Sequence, residues 1–179
     1  MNTYKLKFTR LQNEIFQLLC IKSGESLNQR EIANLLNVSP TAIGKALPTM
    51  GKNKLIKINR NKTINFNLIE LDRDNQNTIA LKRIENLKLI QKSGLIKVLE
   101  DMFSGCIIIL FGSYSFGEDT TKSDIDISII GSKEKEINLI KYDKILERTI
   151  SINFYKDLNN IHKNLRNNIL NGIILSGRL

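Results

Sequence analysis

The chain has 179 residues, enough for one large domain or two small ones. Apolar residues make up 41% of it, which supports packed cores and excludes wholesale disorder, and no run approaches the roughly 20 apolar residues of a membrane span. The net charge of +9 is unevenly placed: residues 1–70 carry +7 and residues 71–179 carry +2, the division expected of a nucleic-acid-binding module joined to a near-neutral second domain. Cys20 and Cys106 sit singly inside apolar segments and read as buried free thiols of a cytoplasmic protein. Met1 to Arg10 holds no long apolar stretch and no small-residue cleavage site, so no secretory signal is expected.

Thr9 to Ile21 reads as a first helix, with Leu11, Ile15, Leu18 and Leu19 on one face, ended by Ser23-Gly24-Glu25-Ser26. Asn28 is placed to cap a second helix, with Glu31 three residues on in capping-box position and Ile32, Leu35 and Leu36 as the buried stripe. After Asn37-Val38, Ser39 is the N-cap and Pro40 the first residue of a third helix. That helix buries Ile43, Ala46 and Leu47 and leaves Thr41, Lys45 and Thr49 open; Pro48, which donates no backbone bond, should kink or end it. Leu55–Ile58 and Thr63–Leu68 alternate apolar and polar residues around a basic turn, Asn59-Arg60-Asn61-Lys62, as a hairpin does.

Asp74 to Gln91 reads as a connecting helix, with Ile79, Lys82-Arg83, Leu87 and Ile90 at helical spacing. Ser93-Gly94 breaks it, and Leu95 to Phe103 forms another amphipathic helix. A domain boundary is expected near residue 71, giving residues 1–70 and 71–179.

The chemistry concentrates in Cys106–Ile130. An apolar strand runs into Gly112-Ser113, and after ten residues comes Asp124-Ile125-Asp126 inside a second strand. Strand alternation puts both carboxylates on one face, a cage suited to a hard divalent cation that keeps water and phosphate oxygens as its other ligands. Glycine at 112 lets the backbone approach a phosphate, to which the Ser113 hydroxyl and neighbouring amides can donate. Lys122 is near enough in sequence to assist a phosphate. Tyr114 suits packing better than stacking on a base, the lone His162 suits a helix surface, and Lys133–Glu136 suits a solvated loop.

Three helices and a basic hairpin over residues 8–70 resemble a winged helix-turn-helix domain. The order Gly112-Ser113, ten residues, Asp124-x-Asp126 resembles the signature of the DNA polymerase beta-like nucleotidyltransferase superfamily. The chain as a whole, including its tail Asn168–Gly177, resembles archaeal fusions of a winged helix with a minimal nucleotidyltransferase, of transcriptional-regulator type. The fold so implied is α+β: a winged helix, a helical connector and a mixed sheet flanked by helices. The resemblance implies nucleotide phosphates, ATP above all, at Gly112 and Ser113, and Mg2+ or Mn2+ on Asp124 and Asp126. Thr41, Lys45, Lys52, Lys57, Arg60 and Lys62 become the expected contacts to double-stranded DNA, with a homodimer as the default assembly.

Active members of that superfamily carry a third carboxylate on a later strand, here Thr149–Tyr155. Ile150, Ile152 and Phe154 share one face, leaving Thr149, Ser151, Asn153 and Tyr155 on the other, none of them acidic. Asn153 is the expected occupant of the third place: it offers a ligating oxygen but takes no proton. Two functions follow from the resemblance. One is a DNA-binding regulator whose second domain binds metal and nucleotide with little turnover. The other is an enzyme moving a nucleoside monophosphate from ATP to a protein or small-molecule hydroxyl.

Overall fold

The computed structural model describes residues 8–61 and 66–178. Two compact units, Met1–Thr78 and Ile79–Leu179, divide the chain within one long helix.

In the first unit α1 (Arg10–Ile21) starts at Thr9, whose side chain accepts from the Gln12 amide while the Gln12 side chain returns to the Thr9 amide. The expected capping box of α2 (Gln29–Leu36) is present: Asn28 accepts from the Glu31 amide at 3.0 Å and donates its own amide to Glu31 at 2.6 Å. Ile32 is buried as expected, but Leu35 is 55% exposed; Ala33 fills the core-facing position instead. The third helix, α3 (Pro40–Lys52), is capped by Ser39 and continues through Pro48. The lost bond leaves only the Gly44 carbonyl without its helical donor, while Leu47 and Met50 on either side stay anchored in the core.

A two-residue strand β1 (Leu27–Asn28) pairs with β3 (Phe66–Leu71), which also pairs antiparallel with β2 (Ile56–Asn61). The hairpin is longer than the sequence pattern suggests. Asn59, Arg60 and Asn61 belong to β2, and Asn61 faces Phe66; residues 62–65, including the expected turn residue Lys62, lie outside the described residues. Three helices and this wing make the unit a winged helix-turn-helix in architecture.

The connecting helix α4 (Gln76–Ser93) starts in the first unit, where Asn75 accepts from the Asn77 amide at 2.9 Å, and continues in the second. There it is followed by α5 (Leu95–Met102), β4 (Ile107–Phe111), the short α6 (Gly112–Phe116), β5 (Ile125–Ile130), α7 (Ile140–Leu146), β6 (Ile150–Tyr155), α8 (Lys163–Leu170) and β7 (Ile173–Ser176). The sheet runs β6-β5-β4-β7, with β4 antiparallel to both β5 and β7, and β5 parallel to β6. Parallel pairing demands a crossover, which α7 supplies. Ile108, Leu110, Ile125, Ile127, Ile129 and Ile150 form one face of the sheet and pack with Ile90, Leu95, Leu99 and Leu146. The opposite face buries Ile109, Phe111 and Ile130 against Ile161 and Ile169. The architecture is α+β throughout. No described helix is long and apolar enough to cross a membrane.

Candidate functional site

The apolar strand β4 delivers Phe111 opposite Asp126 of β5, so the next residue, Gly112, arrives directly against the Asp126 carboxylate. Gly112 has φ +71°, and a Cβ there would lie 2.5 Å from Asp126 Oδ2. Glycine is required twice over, by the backbone conformation and by the carboxylate filling the space a side chain would take. The following residues turn into α6, where the Ser115 hydroxyl donates to the Gly112 carbonyl at 2.8 Å and the Glu118 amide returns to the Ser113 carbonyl at 3.0 Å. Ser113 itself is half-buried. The spacer then tightens: the Thr120 amide donates to the Ser123 hydroxyl, and the Ser123 amide to the Thr120 carbonyl, both at 3.0 Å. This turn sets Asp124 just ahead of β5, so the pair lies at the start of the strand.

Asp124 is exposed and Asp126 half-buried. The Asp126 carboxyl is raised above the ordinary carboxylate range, first by burial and second by the charge of Asp124. Two acids pressed together beside a glycine cradle form a site that a cation would relieve, so the residues present fit a divalent metal. Among the described residues no group of three His, Cys, Asp or Glu is placed to hold one.

The raised carboxyl has a consequence for stability. The folded chain holds the Asp126 proton more tightly than the unfolded chain, so stability is fullest below the ordinary carboxylate pKa and falls as pH rises through the raised one. Asp126→Asn is therefore expected to raise the thermal midpoint of the metal-free protein, with a smaller gain for exposed Asp124→Asn. A lowered midpoint for Asp126→Asn would mean that its carboxylate makes a bond outweighing its burial.

The expected third position is displaced. β5 and β6 run parallel with Asp126 beside Ser151 and Ser128 beside Asn153, while the Ile125 amide donates to the Thr149 carbonyl at 2.8 Å. Asn153 shares the face of the pair but lies two residues further along, next to the buried Ser128; Thr149 and Ser151 flank the aspartates. Lys122 is exposed and borders a cleft of about 520 Å3 beside Asp124, with Lys144, Glu147 and Thr149 on its other walls. Asp157 caps a single 3-10 turn, accepting from the Asn159 and Asn160 amides. Tyr114 is buried, His162 is exposed at the start of α8, and Cys106 is half-buried while Cys20 is buried.

Sequence reasoning missed the group that holds the spacer. Asp119 is fully buried and ion-paired with the equally buried Lys82 of α4. Its other oxygen lies 3.4 Å from Arg148 Nη2, and Asn86 donates to Asp119 at 2.7 Å and to the Tyr114 carbonyl at 2.9 Å. One signal was available: Thr78, Lys82 and Asn86 make a polar stripe at four-residue spacing, and all three are buried.

In the first unit Thr41, Lys45 and Lys52 are exposed on α3. Lys57 lies 2.5 Å from Asp74 and 3.7 Å from Asp72, and its pKa is raised by the Asp74 bond. Arg60 is exposed on β2, and Lys62 lies outside the described residues.

Residues 94–178 match the family model described as Polymerase beta, Nucleotidyltransferase. The matched segment begins directly after α4 and carries Gly112, Ser113, Asp124 and Asp126; the C-terminal domain is of nucleotidyltransferase type. No curated protein matches the chain. Among solved structures, the adhesin competence repressor AdcR of Streptococcus pyogenes is similar at 20% identity, over 57% of this chain and 72% of that one, with a TM-score of 0.44. A variant of ZitR from Lactococcus lactis is similar at 22% identity, over 58% of this chain and 68% of that one, with a TM-score of 0.42. None of these likenesses bears on an archaeal origin.

Proposed function

We propose that the chain is a DNA-binding regulator whose nucleotidyltransferase-type domain binds a divalent metal and a nucleoside triphosphate and transfers the nucleotide slowly or not at all. The supporting observation is the strand register: the residues flanking the aspartate pair are Ser151 on β6 and Thr149 just ahead of it, neither of which takes a proton from an attacking hydroxyl at neutral pH. Asp124 and Asp126 would hold Mg2+ or Mn2+, which when bound neutralises triphosphate charge. Gly112 keeps the backbone close enough for phosphate, and the Ser113 hydroxyl is the donor beside it. ATP is the expected nucleotide. In the first unit, exposed Thr41, Lys45 and Lys52 on α3 and Arg60 on the wing supply the surface for duplex DNA.

Thermal unfolding tests the reading. ATP with Mg2+ is expected to raise the wild-type midpoint by mass action and to leave Asp124→Asn/Asp126→Asn unmoved. Equal shifts in both proteins would place the site elsewhere. A second reading, an active enzyme with a protein or small-molecule acceptor, is favoured by one observation: Glu147 lines the same cleft as Asp124 and brings a carboxylate to it. Label transfer from ATP by the wild type, lost in Glu147→Gln, would establish it.

A further inference from the structure

The four-stranded sheet has two open edges, and they differ. β7 is a short one: four residues, a register shift where it meets β4 between Ile108 and Ile109, and Gly177 straight after it. β6 runs for six residues, Ile-Ser-Ile-Asn-Phe-Tyr, without a charge, a proline or a bulge against β5. Folded proteins usually blunt an edge of that kind, because its unpaired backbone groups template another strand.

The hydrogen bonds show which backbone groups stand open. The Ile125 amide donates to the Thr149 carbonyl and the Gly131 amide to the Tyr155 carbonyl, both at 2.8 Å, so the odd-numbered residues of β6 turn their backbone toward β5. Ile150, Ile152 and Phe154 turn theirs away. The Ile150 amide donates to the Asp143 carboxylate of α7 at 3.0 Å, which leaves the Ile150 carbonyl and both backbone groups of Ile152 and Phe154 along the edge. Charge is placed at the two ends: exposed Lys156 follows the strand, and Asp143 stands at its start. Ile140, one turn before Asp143 on α7, is 63% exposed and adds apolar surface on the same side of that helix.

We propose that β6 pairs antiparallel with β6 of a second copy of this chain, about a two-fold axis through Asn153, joining the two four-stranded sheets into one. In that register Ile152 meets the partner's Phe154, with hydrogen bonds in both directions, and Asn153 meets the partner's Asn153. Lys156 then lies opposite Ile150 of the partner subunit, beside the partner's Asp143. Shifting the axis to Ile152 would set Lys156 against the partner's Arg148 instead, cation on cation, so charge selects the first register. The pairing keeps Ile150, Ile152 and Phe154 on the face that carries the larger core, and Ser151, Asn153 and Tyr155 on the face of Asp126. It also brings the partner's Tyr155 beside Ser151, the neighbour of Asp126, so each copy borders the other's aspartate site.

Crosslinking of the full chain tests the register. Cα atoms of a non-hydrogen-bonded antiparallel pair lie about 4.5 Å apart, within disulfide reach, so Asn153→Cys is expected to give a covalent dimer under mild oxidation. Ser151→Cys lies about 13 Å along the strands from its counterpart, at roughly 3.3 Å per residue, and should stay uncrosslinked. So should the wild type, with Cys20 and Cys106 alone. Sedimentation velocity tests the interface: the wild type should run as a dimer, and Asn153→Lys, which sets like charges directly opposite, as a monomer. Circular dichroism should show the variants folded, since Ser151 and Asn153 are half-buried on an open edge. A dimer that survives Asn153→Lys and is not captured by Asn153→Cys joins through another surface, and a monomeric wild type leaves the edge to a different protein; either result overturns the self-pairing.

Discussion

Asp119→Ala is expected to destabilise the protein by about 3–5 kcal/mol, the usual cost of removing one partner from a buried charge pair. Lys82, Asp119 and the Arg148 head group are all buried, and Asp119 is the acid the two cations share. Its loss leaves two buried positive charges without the carboxylate they share. Lys82→Met should cost less, because Asp119 keeps Arg148 and Asn86 as partners. Chemical denaturation of the two variants checks the asymmetry; equal losses, or tolerance of Asp119→Ala, would show that the cations reach solvent or another acid. The same network fixes the spacer between Gly112-Ser113 and the aspartate pair, so Asp119→Ala should also weaken metal-dependent nucleotide binding.

What the sequence made legible is local. The Asn28/Glu31 capping box, the Ser39-Pro40 helix start and the apolar strand entering Gly112-Ser113 each depend on residues within one or two turns of chain, and each is found where its pattern placed it. What it hid depends on pairing between distant segments. Lys82 looks like a surface lysine until Asp119, 37 residues away, is brought to it. Lys57 looks like an unpaired surface lysine until Asp72 and Asp74 fold back beside it. Helix α7 went unread, and with it the Asp143 carboxylate that accepts the Ile150 amide at 3.0 Å and anchors the start of β6. Without that anchor, the middle of the strand looked like the natural place for a third site residue. In this parallel pair the strand starts align instead. Asp126 is the second residue of β5, and its neighbour is the second residue of β6.

That neighbour makes the last prediction specific. Ser151→Asp is expected to turn the domain into a measurable nucleotidyltransferase, raising label transfer from ATP by about 10²–10⁴-fold, the usual worth of general-base help. The new carboxylate would stand beside Asp126 on the same face of the sheet, able to take a proton from an attacking hydroxyl and to add charge for the cation. The site tolerates the change sterically, since Ser151 is half-buried and β6 is the edge strand of the sheet. Asn153→Asp is the comparison. It adds the same charge two residues on, beside the buried Ser128 hydroxyl, at a distance of about 6.6 Å along the strand, given a rise of about 3.3 Å per residue. It should therefore do little for transfer. A third acid also adds repulsion to a pair already strained by its own charge, so Ser151→Asp should lower the metal-free thermal midpoint and regain it with Mg2+. Asn153→Asp outperforming Ser151→Asp would mean that the reacting atoms sit deeper along the strands than the aspartate pair. Robust transfer by the wild type, unaffected by either change, would place the proton acceptor off β6 altogether, with Glu147 in the Asp124 cleft the first residue to replace.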